Sequence, residues 1–163
     1  MKAVIFCVIL LISGHISHAQ KLSIPDLTAI LDMPAHAIDT FMKKKGYRLM
    51  QKEVDSASSL YYYSNLEKNE EAPSWVRSLS YMEAIRGELK GKMVKYRTYN
   101  RNEYQELMGY LLSNGFKTKS TVDFKDSKHT TFSTGTRDII VKITNNKMNN
   151  GKWIKSYEFE LGK

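Results

Sequence analysis

Four groups of side chains in this sequence could take part in chemistry. They are the histidines His36 and His129, the alternating glutamates Glu158 and Glu160, the Gly-Lys steps at 91 and 151, and the lysines and arginines interleaved with aromatic residues. Metal catalysis needs three or more convergent His, Cys or carboxylate ligands. The chain has four histidines and one cysteine, and His15, His18 and Cys7 all precede residue 20. Two distant histidines remain, so neither a zinc centre nor any cofactor is expected. His36, with Asp39 three residues on, reads as an exposed helical histidine beside a carboxylate. His129 opens a threonine-rich strand and could serve a hydroxyl nucleophile, but no G-x-S-x-G elbow frames a Ser-His-Asp set. Glu158 and Glu160 fall on one strand face, as the paired carboxylates of a glycoside hydrolase would. They read more simply as solvated charge, as do Glu67, Glu70 and Glu71. The Gly-Lys steps lack the upstream glycines and the following Ser or Thr of a phosphate cradle, and there is no dinucleotide fingerprint.

Surface character is what remains. Lys and Arg number 25 against 17 Asp and Glu, a formal charge of +8. Lysines alternate with apolar residues along strand-like runs, which is expected to put Lys117, Lys119, Lys142 and Lys152 on an outward side. Tyr61, Tyr62, Tyr63, Trp75, Tyr81, Tyr96 and Tyr99 lie among the basic residues. Tyrosine, tryptophan and arginine are favoured at protein interfaces, and a positive field speeds encounter with any polyanion. The expected binding residues are Tyr62, Trp75, Tyr96, Arg97, Lys117 and Lys119. The same composition also serves ordinary strand packing and soluble edges.

These residues must be carried by local elements, and the elements come in two similar sets. In the first, Ile38, Phe41 and Met42 recur at helical spacing after Asp32-Met33-Pro34 and before Lys43-Lys44-Lys45-Gly46. In the second, Tyr104, Leu107, Met108 and Leu111 do so between a cap at Asn100 or Asn102 and a stop at Asn114-Gly115. An aromatic follows each stop, Tyr47 and Phe116. Strand-like runs come next, and Gly91 to Tyr99 aligns without a gap on Gly151 to Phe159. The first half is nine residues longer between these landmarks, and polar, acidic Leu66 to Ser74 is the natural insertion.

Alternation predicts that Phe116, Thr118, Ser120, Val122 and Phe124 face one way and Lys117, Lys119, Thr121 and Asp123 the other. It likewise groups Ile139, Val141 and Ile143, and Trp153, Tyr157, Phe159 and Leu161. A short extra helix is expected after Ser23, with Leu27, Ile30 and Leu31 as its stripe. The expected fold is therefore α+β: two tandem α-β4 repeats, residues 20–99 and 100–163, forming antiparallel sheet with the helices packed on one face.

This order of elements resembles the β-lactamase-inhibitor-protein-like fold, and each half alone is similar to a cystatin-type unit. The resemblance spans nearly all of residues 20–163 but is one of topology. The glutamine-valine-glycine wedge of cystatins is absent, so protease inhibition of that kind is not implied.

The first 19 residues have the form of a secretory signal. Lys2 precedes an apolar block from Ala3 to Ile12, and Ser17-His18-Ala19 supplies small residues before a cut at Gln20. Gln20 after the cut resembles the habit of exported proteins of the Bacteroidetes. That resemblance implies a periplasmic or secreted protein. The block is about half the roughly 20 residues a spanning helix needs, which argues against an uncleaved anchor. No later segment is long or apolar enough to span, so no transmembrane segment is expected after cleavage. Nucleic acid is not an expected partner outside the cytoplasm. With its one cysteine inside the signal, the body must rest on a hydrophobic core instead of disulfides. The expected function is a noncatalytic exported binding module, an inhibitor or envelope accessory protein, recognising a protein or anionic envelope polymer through a sheet face. A small hydrolase acting on an anionic envelope polymer and a structural component of an envelope assembly are the alternatives.

Overall fold

A computed structural model describes residues 20–66, 76–86 and 89–163. The expected signal (1–19), Trp75 and all of the expected insertion except Leu66 lie outside the described residues.

Helix α1 (Ile24–Asp32) starts where Ser23 and Asp26 satisfy each other. The Asp26 amide donates to the Ser23 hydroxyl at 3.2 Å, and the Ser23 amide to the Asp26 carboxylate at 2.9 Å. This reciprocal cap fills two of the donors that a helix start leaves open. Leu27, Ile30 and Leu31 are buried, as their spacing implies. Helix α2 (Ala35–Lys44) follows Pro34 and turns Ile38 and Met42 inward. Helix α3 (Arg101–Ser113) is capped by Asn100, whose side chain accepts from the amides of Asn102 and Glu103, and it buries Leu107 and Leu111. Gly46 and Gly115, with φ of 82° and 79°, take the left-handed conformation just after α2 and α3, where a Cβ would be strained.

The strands are β1 (Arg48–Val54), β2 (Ser58–Ser64), β3 (Arg77–Arg86), β4 (Leu89–Thr98), β5 (Lys117–Asp123), β6 (Ser127–Ser133), β7 (Asp138–Lys147) and β8 (Trp153–Gly162). They form one antiparallel sheet in the order β1-β2-β3-β4-β8-β7-β6-β5. The last strands of the two halves pair at its centre, so the halves share a single sheet. The helices lie on one face, with α1 over β4 and β8 and α2 beside β1. Beneath them Tyr63, Leu79, Tyr81, Val94, Tyr96, Phe159 and their neighbours form the core. The fold is α+β, with each half entering its four strands from a helix.

The two ladders match closely. Leu49, Tyr63 and Leu79 stand side by side across β1, β2 and β3, as Thr118, Phe132 and Ile139 do across β5, β6 and β7. Both edge strands carry a β-bulge at the matching place, between Leu49 and Gln51 and between Thr118 and Ser120. The bulge corrects the simple alternation expected for β5. Beyond it Ser120 and Val122 share the face of Lys117, while Thr121 and Asp123 share that of Thr118.

The gapless match of Gly91–Tyr99 on Gly151–Phe159 is also corrected. Met93, Lys95 and Arg97 point away from the helices, whereas the residues aligned with them, Trp153, Lys155 and Tyr157, stand on the helix side. The cause lies in the turns. Arg86 pairs with Leu89 across two intervening residues, but Lys147 pairs with Trp153 across five. An odd difference in turn length reverses which residues face the core.

Candidate functional site

The face of the sheet away from the helices is the candidate site, and the expected binding residues distribute unevenly over the molecule. Tyr62 on β2, Arg97 on β4 and Lys117 on β5 lie on this open face. Tyr96 does not. Its register with Leu79 and Phe159 turns it under the helices, where it is 0% exposed. Strand alternation next to Arg97 requires this, because neighbours on a strand point to opposite faces. Lys119 sits in the edge bulge and pairs with Asp138 at 2.7 Å. Trp75 is not among the described residues. Lys117 is four strands from Arg97, roughly 19 Å at the usual strand spacing, so it does not converge with Tyr62 and Arg97.

At the centre of the open face β4 and β8 bring opposite charges together. Arg97 donates to Glu158 at 2.7 Å, Lys95 lies 3.3 Å from Glu160, and Lys142 on β7 reaches Glu160 at 2.6 Å and Glu158 at 3.5 Å. The two glutamate side chains are only 13% and 17% exposed, which corrects their reading as solvated charge. Burial pushes the Glu160 carboxyl upward, but the hydrogen bond and charge of Lys142, and then of Lys95, outweigh it and hold the group below its ordinary range. Burial opposes the charge on Arg97 as well, and Glu158 more than restores it. Three cations thus share two carboxylates. Beside them Leu60, Ser80, Met82, Met93 and Lys95 line a hollow of about 150 Å³, mostly apolar in its lining. Ser80, small and cross-strand from both Tyr62 and Lys95, leaves the room for it.

The depressed Glu160 carboxyl carries a pH signature. Its folded pKa lies below the ordinary value of 4.5, so its stabilisation is fully present above that pH and is lost as pH falls through the folded value. Thermal melts between about pH 6 and pH 3 are expected to fall more steeply for the wild type than for Glu160→Gln. Parallel curves would remove Glu160 from the acid response.

On the helix side a second polar cluster surrounds Glu103, which is 4% exposed. Its carboxylate accepts from the Tyr96 hydroxyl, from Arg77 Nε at 2.8 Å and from Thr98 Oγ1 at 3.3 Å. Burial first, then Tyr47 and the Glu103 charge, push the Tyr96 hydroxyl far above its ordinary value and keep it a donor. The Tyr47 hydroxyl ties the segment before α1 to this cluster through the Gln20 carbonyl at 3.1 Å. These contacts tie α3 to β3 and β4 and join the segment before α1 to them. Spacing could have found Glu103, since it occupies the same helical stripe as Leu107 and Leu111.

His129 Nε2 lies 3.2 Å from Ser127 Oγ, and its ring packs on Phe124 at 4.6 Å. Among the described residues no carboxylate orients this histidine, and no group of three or more His, Cys, Asp or Glu gathers as a metal site. No helix among the described residues is long and apolar enough to cross a membrane. No protein-family model matches the chain, and comparison with curated proteins and with solved structures likewise finds no match.

Proposed function

We propose that this protein is an exported, noncatalytic binding module that takes its partner on the open face of the sheet. The observation that carries this reading is the centre of that face, which no helix or strand among the described residues covers. An apolar hollow lies beside a ladder in which three cations share two carboxylates. A buried interface centre favours desolvated apolar contact with charges already satisfied at its border. Here Glu158 and Glu160 hold Lys95, Arg97 and Lys142 in place, so a partner meets preorganised side chains and loses little side-chain entropy on binding. The surplus positive charge suits a partner surface with a carboxylate next to an apolar side chain. The leader-like residues 1–19 support export, and the order of helices and strands supports kinship of arrangement with the β-lactamase-inhibitor-protein-like fold.

A photo-crosslinking residue at Ser80, on the open face, tests the reading against one at His36, on α2. In the native envelope the Ser80 probe is expected to give a discrete adduct that Arg97→Glu reduces at least tenfold, with none from the His36 probe. Equal adducts from both positions, or an adduct indifferent to Arg97→Glu, would place the partner elsewhere.

A further inference from the structure

We infer that the projecting end of the second half docks on an anionic lipid bilayer. The last β4 residue in the central ladder is Thr98, paired with Tyr157, so Trp153 to Ser156 pair only with β7. The β7-β8 ribbon therefore extends roughly 13 Å past the point where β4 leaves the sheet. The β5-β6 turn stands alongside, held by the Asn145 amide donating to the Asp126 carbonyl at 2.8 Å.

This end carries three of the exposed large apolar residues: Trp153 at 63%, Phe124 at 55% and Val122 at 50%. It also carries exposed Lys125, Lys128, Lys147, Lys152 and Lys155 against the acidic Asp123 and Asp126. Lys147 is the cross-strand partner of Trp153. Among the described residues no carboxylate lies within ion-pair distance of Lys147, Lys152 or Lys155, whereas Lys95 and Lys142 on the open face are both paired. A bare aromatic flanked by unpaired lysines on a projecting tip matches the interface of a charged membrane. The ring enters the headgroup and acyl boundary, while the ammonium groups stay with the anionic headgroups. A soluble polyanion would satisfy the lysines without offering the indole an acyl boundary to enter.

The test is sedimentation of the natively purified protein with two vesicles, pure phosphatidylcholine and phosphatidylcholine with about a third phosphatidylglycerol. A Trp75→Phe background leaves Trp153 as the only indole. Binding is expected to the anionic vesicle only, with Trp153 emission shifted to the blue. Trp153→Ala is expected to lower partitioning about tenfold, and joint replacement of Lys147, Lys152 and Lys155 by Gln roughly a hundredfold. All four positions are exposed, so thermal midpoints check that folding is kept. Arg97→Glu, on the open face, is expected to leave vesicle binding unchanged, so this inference and the proposed partner face fail separately. Unaltered binding by Trp153→Ala would mean plain charge adsorption and overturn the inference. Absence of vesicle binding would also overturn it, whether or not the protein is retained on a soluble polyanion.

Discussion

Glu103→Ala is expected to destabilise the fold by about 3–5 kcal/mol, the usual cost of removing one partner from a buried ion pair. The side chain is 4% exposed and binds Tyr96, Arg77 and Thr98. Its loss removes the Arg77–Glu103 ion pair and leaves the Tyr96 hydroxyl without its carboxylate acceptor in the core. Glu103→Gln keeps an acceptor for Tyr96 but not the charge, and is expected to cost about 2 kcal/mol. Urea midpoints at unchanged m separate the two. Costs below about 1 kcal/mol for the alanine variant would show that the cluster relaxes or rehydrates.

Phe159→Ala is expected to cost a further about 3–5 kcal/mol on its own, from lost transfer energy and the cavity left behind. Phe159 is 0% exposed, stands in register with Tyr96 on β4 and Val141 on β7, and meets the Tyr104 ring at 6.1 Å. Because it touches both halves where β4 pairs with β8, the variant is expected to unfold in one transition with a lowered midpoint. Two separated transitions would show that the halves fold independently. Trp153→Ala provides the contrast. It lies on the same strand and the same side, yet is solvent-exposed, so its stability change is expected within about 0.5 kcal/mol.

Much of the fold was legible locally. Ser23 with Asp26, Asn100 with the α3 amides, and Gly46 and Gly115 mark their helix ends through interactions that span a few residues. The alternation of Ile139, Val141 and Ile143, and of Trp153, Tyr157, Phe159 and Leu161, grouped residues that do share the helix side, although Trp153 lies beyond the core and is exposed. The candidate site was less legible. Tyr62 and Arg97 reached the open face, but Tyr96 could not share it with the residue beside it. Lys119 was displaced by a bulge with no marker residue in the strand. Glu158 and Glu160 gave the right pattern and the wrong partner, because Lys142 and Arg97 come from two other strands.

The sequence by itself determined the helix limits, the strand periods away from the edge bulges, the doubled order of elements and the basic surface, since each depends on residues within a turn or two of one another. Tertiary structure alone decided that β4 joins β8, which side of each faces the helices, and that the central charges pair across three strands. The physical reason is that a strand has period two. One bulge or one odd turn exchanges its faces, and the choice is made by burial against helices many residues away, which no short stretch of chain records.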